Sequence, residues 1–184
     1  MRLLSIIVFI LCFQWSNAQT SKFISQIEIG ALRGIQLSKS FPILKSGSLA
    51  NIKISKELSP YVQMGAGIGY MQLENENFTP IYAYFKGIKK KTSNSYFFEM
   101  AIGKSKAESD IFNSSLNTLY EGGVYFSPGF GYQYSINEKW SISSSVNYVM
   151  QKAELSQLND FQEVSHTEKL NIDLVVFKIG LIIR

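Results

Sequence analysis

The sequence is poor in the residues that usually carry chemistry. Among 184 residues there is one cysteine, Cys12, so no internal disulfide can form, and one histidine, His166, so a His-rich metal site is excluded. Charged residues make up 17%, against about 25% in an ordinary soluble domain. The formal charge of +4 is small and dispersed, which argues against nucleic acid as a partner. Beyond residue 18 no apolar run approaches the ~18 residues of a helical membrane span, and no sustained 3.6-residue periodicity is found. What remains is apolar and aromatic: 46% hydrophobic and 14% Phe, Trp and Tyr, too much buriable surface for a disordered chain. The length suits one domain or two very small ones, and no cofactor or metal is expected.

The N-terminus has the layout of a cleaved leader. Met1-Arg2 precedes an apolar stretch at 3–13, and Ser16-Asn17-Ala18 puts small residues before Gln19. The stretch is about half of the ~20 residues a membrane anchor needs. Lipoprotein processing at Cys12 is disfavoured by Phe9-Ile10-Leu11, which lacks the small residue such processing prefers. The expected organisation is a signal peptide at 1–18 and one domain at 19–184.

That domain counts in twos. Val124, Phe126, Phe130, Tyr132, Tyr134 and Ile136 alternate with Gly123, Tyr125, Ser127, Gly129, Gly131, Gln133 and Ser135. Trp140, Ile142, Val146, Tyr148 and Met150 stand opposite Ser141, Ser143, Ser145 and Asn147. The same rhythm predicts eight strands at 23–37, 47–55, 60–74, 79–88, 95–107, 121–135, 140–154 and 169–184. Connections at 56–59, 89–94 and 137–139 are tight; those at 38–46, 108–120 and 155–168 are long, and on their side only the one at 75–78 is short. Short turns at one end and long loops at the other is the plan of an outer-membrane barrel.

A soluble up-and-down barrel binding a small apolar ligand also alternates, with its polar face in water. Here the polar face is Gly, Ser, Asn and Gln rather than Lys and Glu, and ten of the 13 glycines fall on it. Small polar residues suit the narrow interior of eight strands, and the large apolar face suits lipid. Trp140 and Tyr134 flank the 137–139 turn as an interfacial girdle would. The predicted fold class is all-β: an eight-stranded antiparallel up-and-down transmembrane β-barrel in the outer membrane.

Two segments carry a family resemblance. The last strand, Lys178-Ile179-Gly180-Leu181-Ile182-Ile183-Arg184, resembles the assembly signal of outer-membrane proteins, with Lys178, Gly180 and Ile183 at its polar, glycine and hydrophobic positions. Residues 127–149 are similar to the penultimate hairpin of the small outer-membrane β-barrels common in Bacteroidetes, the PorT-like barrels, which share their architecture with the OmpX/OmpA-type barrels. The resemblance implies recognition by the barrel assembly machinery and a life among outer-membrane lipid and lipopolysaccharide. These barrels variously anchor, adhere or assist secretion, so it does not single out an activity.

Candidate chemistry is sparse. Gly65-Ala66-Gly67-Ile68-Gly69 superficially resembles a phosphate loop, but its glycines have strand spacing and open no helix. Some eight-stranded outer-membrane barrels modify lipid A with a His–Ser pair. Here His166, in the predicted last long loop beside Thr167 and Glu168, adjoins Ser165, which points the other way on an extended chain, and no His-x-Ser-Asn-type motif is present. The predicted inward face carries Glu28, Lys53, Lys86, Glu99 and Lys178. Lys86 and Glu99 should lie opposite one another across the 89–94 turn, and Glu28 and Lys178 should meet where strands one and eight close. Such charges form either an ion pathway or a structural plug, and a narrow low-dielectric lumen favours the plug. Arg33 falls on the lipid face, at the headgroup level or turned by a bulge at Gly34. Pro128 falls within a paired strand, where a local bulge is expected. The expected role is non-enzymatic, structural or partner-binding, with a protein or glycan partner at loops 108–120 and 155–168. Ile111, Phe112, Leu116, Leu158 and Phe161 supply apolar contacts in those loops.

Overall fold

The computed structural model describes residues 23–34, 46–74, 76–91, 94–109, 118–158 and 164–184. Eight strands run β1 Phe23–Gly34, β2 Ser46–Ser59, β3 Val62–Leu73, β4 Glu76–Lys91, β5 Asn94–Ser109, β6 Thr118–Ser135, β7 Trp140–Leu158 and β8 Val164–Ile183. Each pairs antiparallel with its neighbours in sequence, and β1 pairs with β8, so the sheet closes into a barrel. Following one row of partners from Asp173 around all eight strands returns to β8 at Ile183, ten residues on. A stagger of that size goes with the strand tilt of about 35–45° that lets eight strands enclose side chains only.

The predicted strands are all present, but β5 to β8 reach further into the connections at 108–120 and 155–168 than the sequence pattern indicates, and β2 and β4 run through most of the expected turns at 56–59 and 89–94. β6 begins at Thr118 and β8 at Val164, so the expected loops 108–120 and 155–168 shrink to 110–117 and 159–163, which lie outside the described residues. Residues 1–22, including the expected leader, and most of loop 38–46 also lie outside them. At the opposite rim the turns are built from side-chain capping. Asn137 Oδ1 accepts the amides of Lys139 (2.9 Å) and Trp140 (2.8 Å), fixing the β6–β7 turn. The amide of Arg184 donates to Lys139 O (2.9 Å), tying the end of β8 to that turn.

Across most of the wall the outward row is apolar: Ile27 and Ile29 on β1, Ile52 and Ile54 on β2, Phe98 and Ile102 on β5, Phe177 and Ile179 on β8 are all exposed. The inward row holds Gln26, Asn51, Gln63, Gln133, Ser143 and Asn147, all buried. This is the reverse of a soluble barrel and the arrangement hydrocarbon requires. Tyr61, Tyr96, Tyr134 and Trp140 are exposed near the short-turn rim, where an aromatic girdle belongs.

Near the long-loop rim the pattern keeps its period but exchanges its faces. The outward residues become Arg33, Gln72, Lys104, Lys106, Glu108, Lys152, Glu154 and Lys169. The inward ones become Leu32, Leu73, Ala107, Ala153 and Leu174, which belong to one apolar cluster with Leu49, Met71, Phe78, Tyr82, Tyr120, Tyr125, Val149 and Val176. The end of the barrel is therefore a collar built like a soluble protein, with Leu155, Leu170 and Ile172 packed partly buried against its core.

The bulge expected at Pro128 is absent, and so is the one at Gly34, the alternative to a headgroup position for Arg33. Gly34 pairs with Leu174 in unbroken register, so Arg33 keeps its outward position one residue from the end of β1. At Pro128 the register toward β5 is regular, and toward β7 the same offset holds on both sides of Ser127 and Pro128, which are skipped. Pro80 opens the same two-residue gap toward β3, between Ile68↔Ile81 and Met71↔Phe78. A missing N–H thus costs local ladder bonds and shifts nothing. A real register shift occurs instead between Gly122 and Tyr125, toward β7.

Candidate functional site

The interior is the first place to look for chemistry, and it is layered. Next to the short-turn rim lie Ile24, Ile88 and Ile182 among Gln63, Gln133, Ser95 and Ser141, all buried. Above them sits the charge network. Lys53 Nζ lies 2.9 Å from Glu28 Oε1 and 3.0 Å from Glu99 Oε2. Lys178 Nζ lies 3.2 Å from Glu28 Oε2 and also pairs with Glu99 Oε1. Two lysines and two carboxylates thus form a closed ring drawn from β1, β2, β5 and β8. Amides complete it: Gln26 Nε2 donates to Glu28 (2.7 Å), Asn51 Nδ2 to Glu28 (3.1 Å) and Asn147 Nδ2 to Glu99 (3.0 Å).

Glycine makes room for this ring. A Cβ at Gly180 would lie 2.8 Å from Ser143 Oγ and 3.0 Å from Glu28 Cγ; one at Gly67 would lie 2.6 Å from the Tyr82 ring. The Gly65-Ala66-Gly67-Ile68-Gly69 run is thus strand β3 giving up side-chain volume to the adjacent strands β2 and β4. The same packing explains the residues read as an assembly signal. Lys178 closes the ion ring, Gly180 leaves space for Glu28, and Ile183 ends β8 opposite Trp140 and Ser25.

One expected pairing is corrected. Lys86 and Glu99 are register partners, but the Lys86 ammonium is not in the ring. It donates to Gln133 Oε1 (3.1 Å) and stands 4.0 Å from the centre of the Phe97 ring, completely buried. Glu99 is already bound by Lys53, Lys178 and Asn147, so Lys86 is left to an amide and an aromatic face. The expected Glu28–Lys178 contact is formed.

Above the ring the collar core fills the lumen. Phe78, Met71 and Leu174 have no exposed surface, and Tyr82 stacks on Tyr125 at 5.3 Å between ring centres. The sequence reading, which lined the lumen with small polar residues, did not anticipate this plug. Its signal was present in the exchange of faces at Met71-Gln72-Leu73 and Lys152-Ala153-Glu154.

His166 is in β8 rather than in a loop, its backbone opposite Gln157. Beside it Ser156 and Thr167 share a hydroxyl hydrogen bond of 3.2 Å. Ile111, Phe112, Leu116 and Phe161 lie outside the described residues, and Leu158 ends β7. Among the described residues no group of three or more His, Cys, Asp or Glu could hold a metal.

Closure, outward apolar wall, staggered register and packed lumen together define a transmembrane β-barrel of the small eight-stranded outer-membrane class. Solved structures share the fold. Neisserial surface protein A superposes with a TM-score of 0.60 over 90% of this chain and 99% of its own, at 9% identity. The outer membrane protein AlkL gives 0.59 over 89% of each chain at 10% identity, and OprG from Pseudomonas aeruginosa 0.55 over 88% and 94% at 10%. No family model matches the chain, and no curated protein matches it by sequence.

Proposed function

We propose that this protein is a non-enzymatic, non-conducting outer-membrane scaffold that holds its long hairpins in a fixed geometry for a protein or glycan partner outside the cell. The observation that carries this reading is the collar. An apolar core seals the lumen above a charge ring with no open end, so an ion path is poorly served. The same core stiffens the strands beyond the membrane wall. The β7–β8 ladder continues from Trp140↔Ile183 to Leu158↔Val164, ten residues of β8 beyond its last pairing with β1. A rigid frame carrying projecting segments is the common arrangement for binding. The barrel would reach its site through the assembly machinery, and its standing contacts would be lipid and lipopolysaccharide.

The test removes the projection and keeps the barrel. Deleting residues 153–170 and joining the strands by a short turn should leave the difference in gel mobility between boiled and unboiled samples intact. It should also abolish the phenotype of gene deletion, and planar bilayers with intact protein should show no conductance steps. A changed lipid A mass spectrum in the deletion strain, lost again with His166→Ala, would replace this reading with a lipid A-modifying enzyme.

A further inference from the structure

Four strands run from the short-turn rim toward the collar, and the outward row of each can be followed upward. On β1 it reads Ile27, Ile29, Ala31 and then Arg33; on β3 Ile68, Tyr70 and then Gln72. On β5 it reads Tyr96, Phe98, Met100, Ile102 and then Lys104; on β7 Val146, Tyr148, Met150 and then Lys152. The apolar band of such barrels is about 25 Å tall, so these four residues stand where hydrocarbon gives way to headgroups. Three of the four are cationic. Higher on the collar Lys106 is matched with Glu108 at 2.7 Å and Lys169 with Glu154 at 4.0 Å, and Asp173, level with Met150 on the strand beside Lys152, accepts from the Tyr148 hydroxyl at 2.5 Å. Among the described residues, Arg33, Lys104 and Lys152 have no ion-pair partner.

Lys104 and Lys152 flank one strand, β6, at its irregular point. Gly123 has no register partner on β5 or β7, although its carbonyl accepts from Ser105 Oγ (3.4 Å), and a Cβ there would lie 3.2 Å from that of Lys152. Between the two lysines the wall is therefore low, Gly122-Gly123 above the exposed Val124. Two inter-strand steps separate the lysines by roughly 10 Å, a gap that two lysine stems can close on one anion. The uncommitted carboxylate nearby, Glu121, stands above this notch, opposite Glu154.

We infer that Lys104 and Lys152, across the Gly122–Val124 notch, form a binding site for the phosphate of a phosphorylated outer-leaflet lipid, with Arg33 as a further cation of the same belt. The lipid source follows from position: the anion is met where the acyl-facing wall ends, so chains and headgroup are engaged together. The inference rests on the outer-membrane reading, and the gel-mobility shift checks that reading separately.

Full-length protein in detergent at low salt would be titrated with bisphosphorylated lipid A, and binding read by native mass spectrometry. Wild type should bind it and bind the dephosphorylated form at least about tenfold less. Lys104→Gln/Lys152→Gln should lose about tenfold, while Lys104→Arg/Lys152→Arg should stay within about twofold. Lys139→Gln, at the opposite rim, should change nothing. Inorganic phosphate at equal concentration should not displace the lipid. Equal binding of both lipids, wild-type affinity in the double Gln variant, an equal loss in Lys139→Gln, or displacement by inorganic phosphate would each overturn the assignment. If the double variant shows no mobility shift, each single Gln variant should still show about a threefold loss, and none in both would overturn it.

Discussion

The membrane wall and the collar are made from the same strands yet obey opposite rules. On β5, Phe98, Met100 and Ile102 point outward while Glu99 points in; a few residues later Lys104, Lys106 and Glu108 point outward while Ala107 points in. Strand direction, pleat and pairing do not change between the two regions. Only the solvent outside changes, and the faces exchange with it. Polarity of a face therefore reports the medium against it rather than the inside or outside of the barrel. The contrast extends to cohesion. The wall's interior is held by ion pairs and by amides that donate to them, whereas the collar's is held by apolar packing.

The two interiors should break differently. Glu99→Gln leaves Lys53 and Lys178 short of a carboxylate in a buried ring, at a cost of about 3–5 kcal/mol in denaturant unfolding. Adding Lys178→Met should recover part of that loss. Adding Lys86→Met should recover less, because Lys86 leans on Gln133 and Phe97. Equal recovery by both would place Lys86 back in the ring. In the collar, Leu174→Ala should cost about 2–4 kcal/mol by leaving a cavity. Its signature should be selective, loosening proteolytic protection of the collar before the membrane wall is lost.

Next in size is the exchange of faces itself. Met100→Lys, at the middle of the outward row from Tyr96 to Lys104, places a charge against lipid and should cost about 2–4 kcal/mol near mid-bilayer. Lys106→Ile, six residues along the same row, should change stability by less than about 0.5 kcal/mol. Similar costs at the two positions would erase the boundary between wall and collar.

How much of this was legible in the sequence depends on what each feature rests upon. Eight strands, their order and the lipid-facing residues follow from period-two alternation, which is a local property. The ring was half legible: the inward phase gathers Glu28, Lys53, Lys86, Glu99 and Lys178, but register alone paired Lys86 with Glu99. The lysine stems decide otherwise by reaching across the lumen, where Lys53 on β2 meets Glu99 on β5. No strand-level pattern contains that contact. The collar is not legible in alternation, which gives the contrast between two faces and not its sign. Hairpin lengths are hidden for the same reason, since polar outward residues above the membrane look like loop. Proline misled in the other direction: Pro128 suggested a bulge, yet a sheet laddered on both sides absorbs the loss of one donor without moving.

The smallest expected effect probes how closely the wall's interior is filled. Gly67 lies inward on β3, and a methyl group there would stand 2.6 Å from the Tyr82 ring. Tyr82 is also stacked on Tyr125, so its ring cannot swing aside without disturbing the boundary between ring and collar. Gly67→Ala should therefore destabilise by about 1–3 kcal/mol, the usual cost of one extra carbon in a packed interior. Gly87→Ala is the control, because the nearest atom to its added carbon is Phe85 Cε1 at 3.7 Å, ordinary contact distance. That substitution should be neutral within about 0.5 kcal/mol. Combining Gly67→Ala with Tyr82→Phe should not rescue it, since the ring and not only the hydroxyl is in the way. Rescue by Tyr82→Leu, which shortens the side chain, would place the strain in the Tyr82 layer, between the charged ring and the apolar plug.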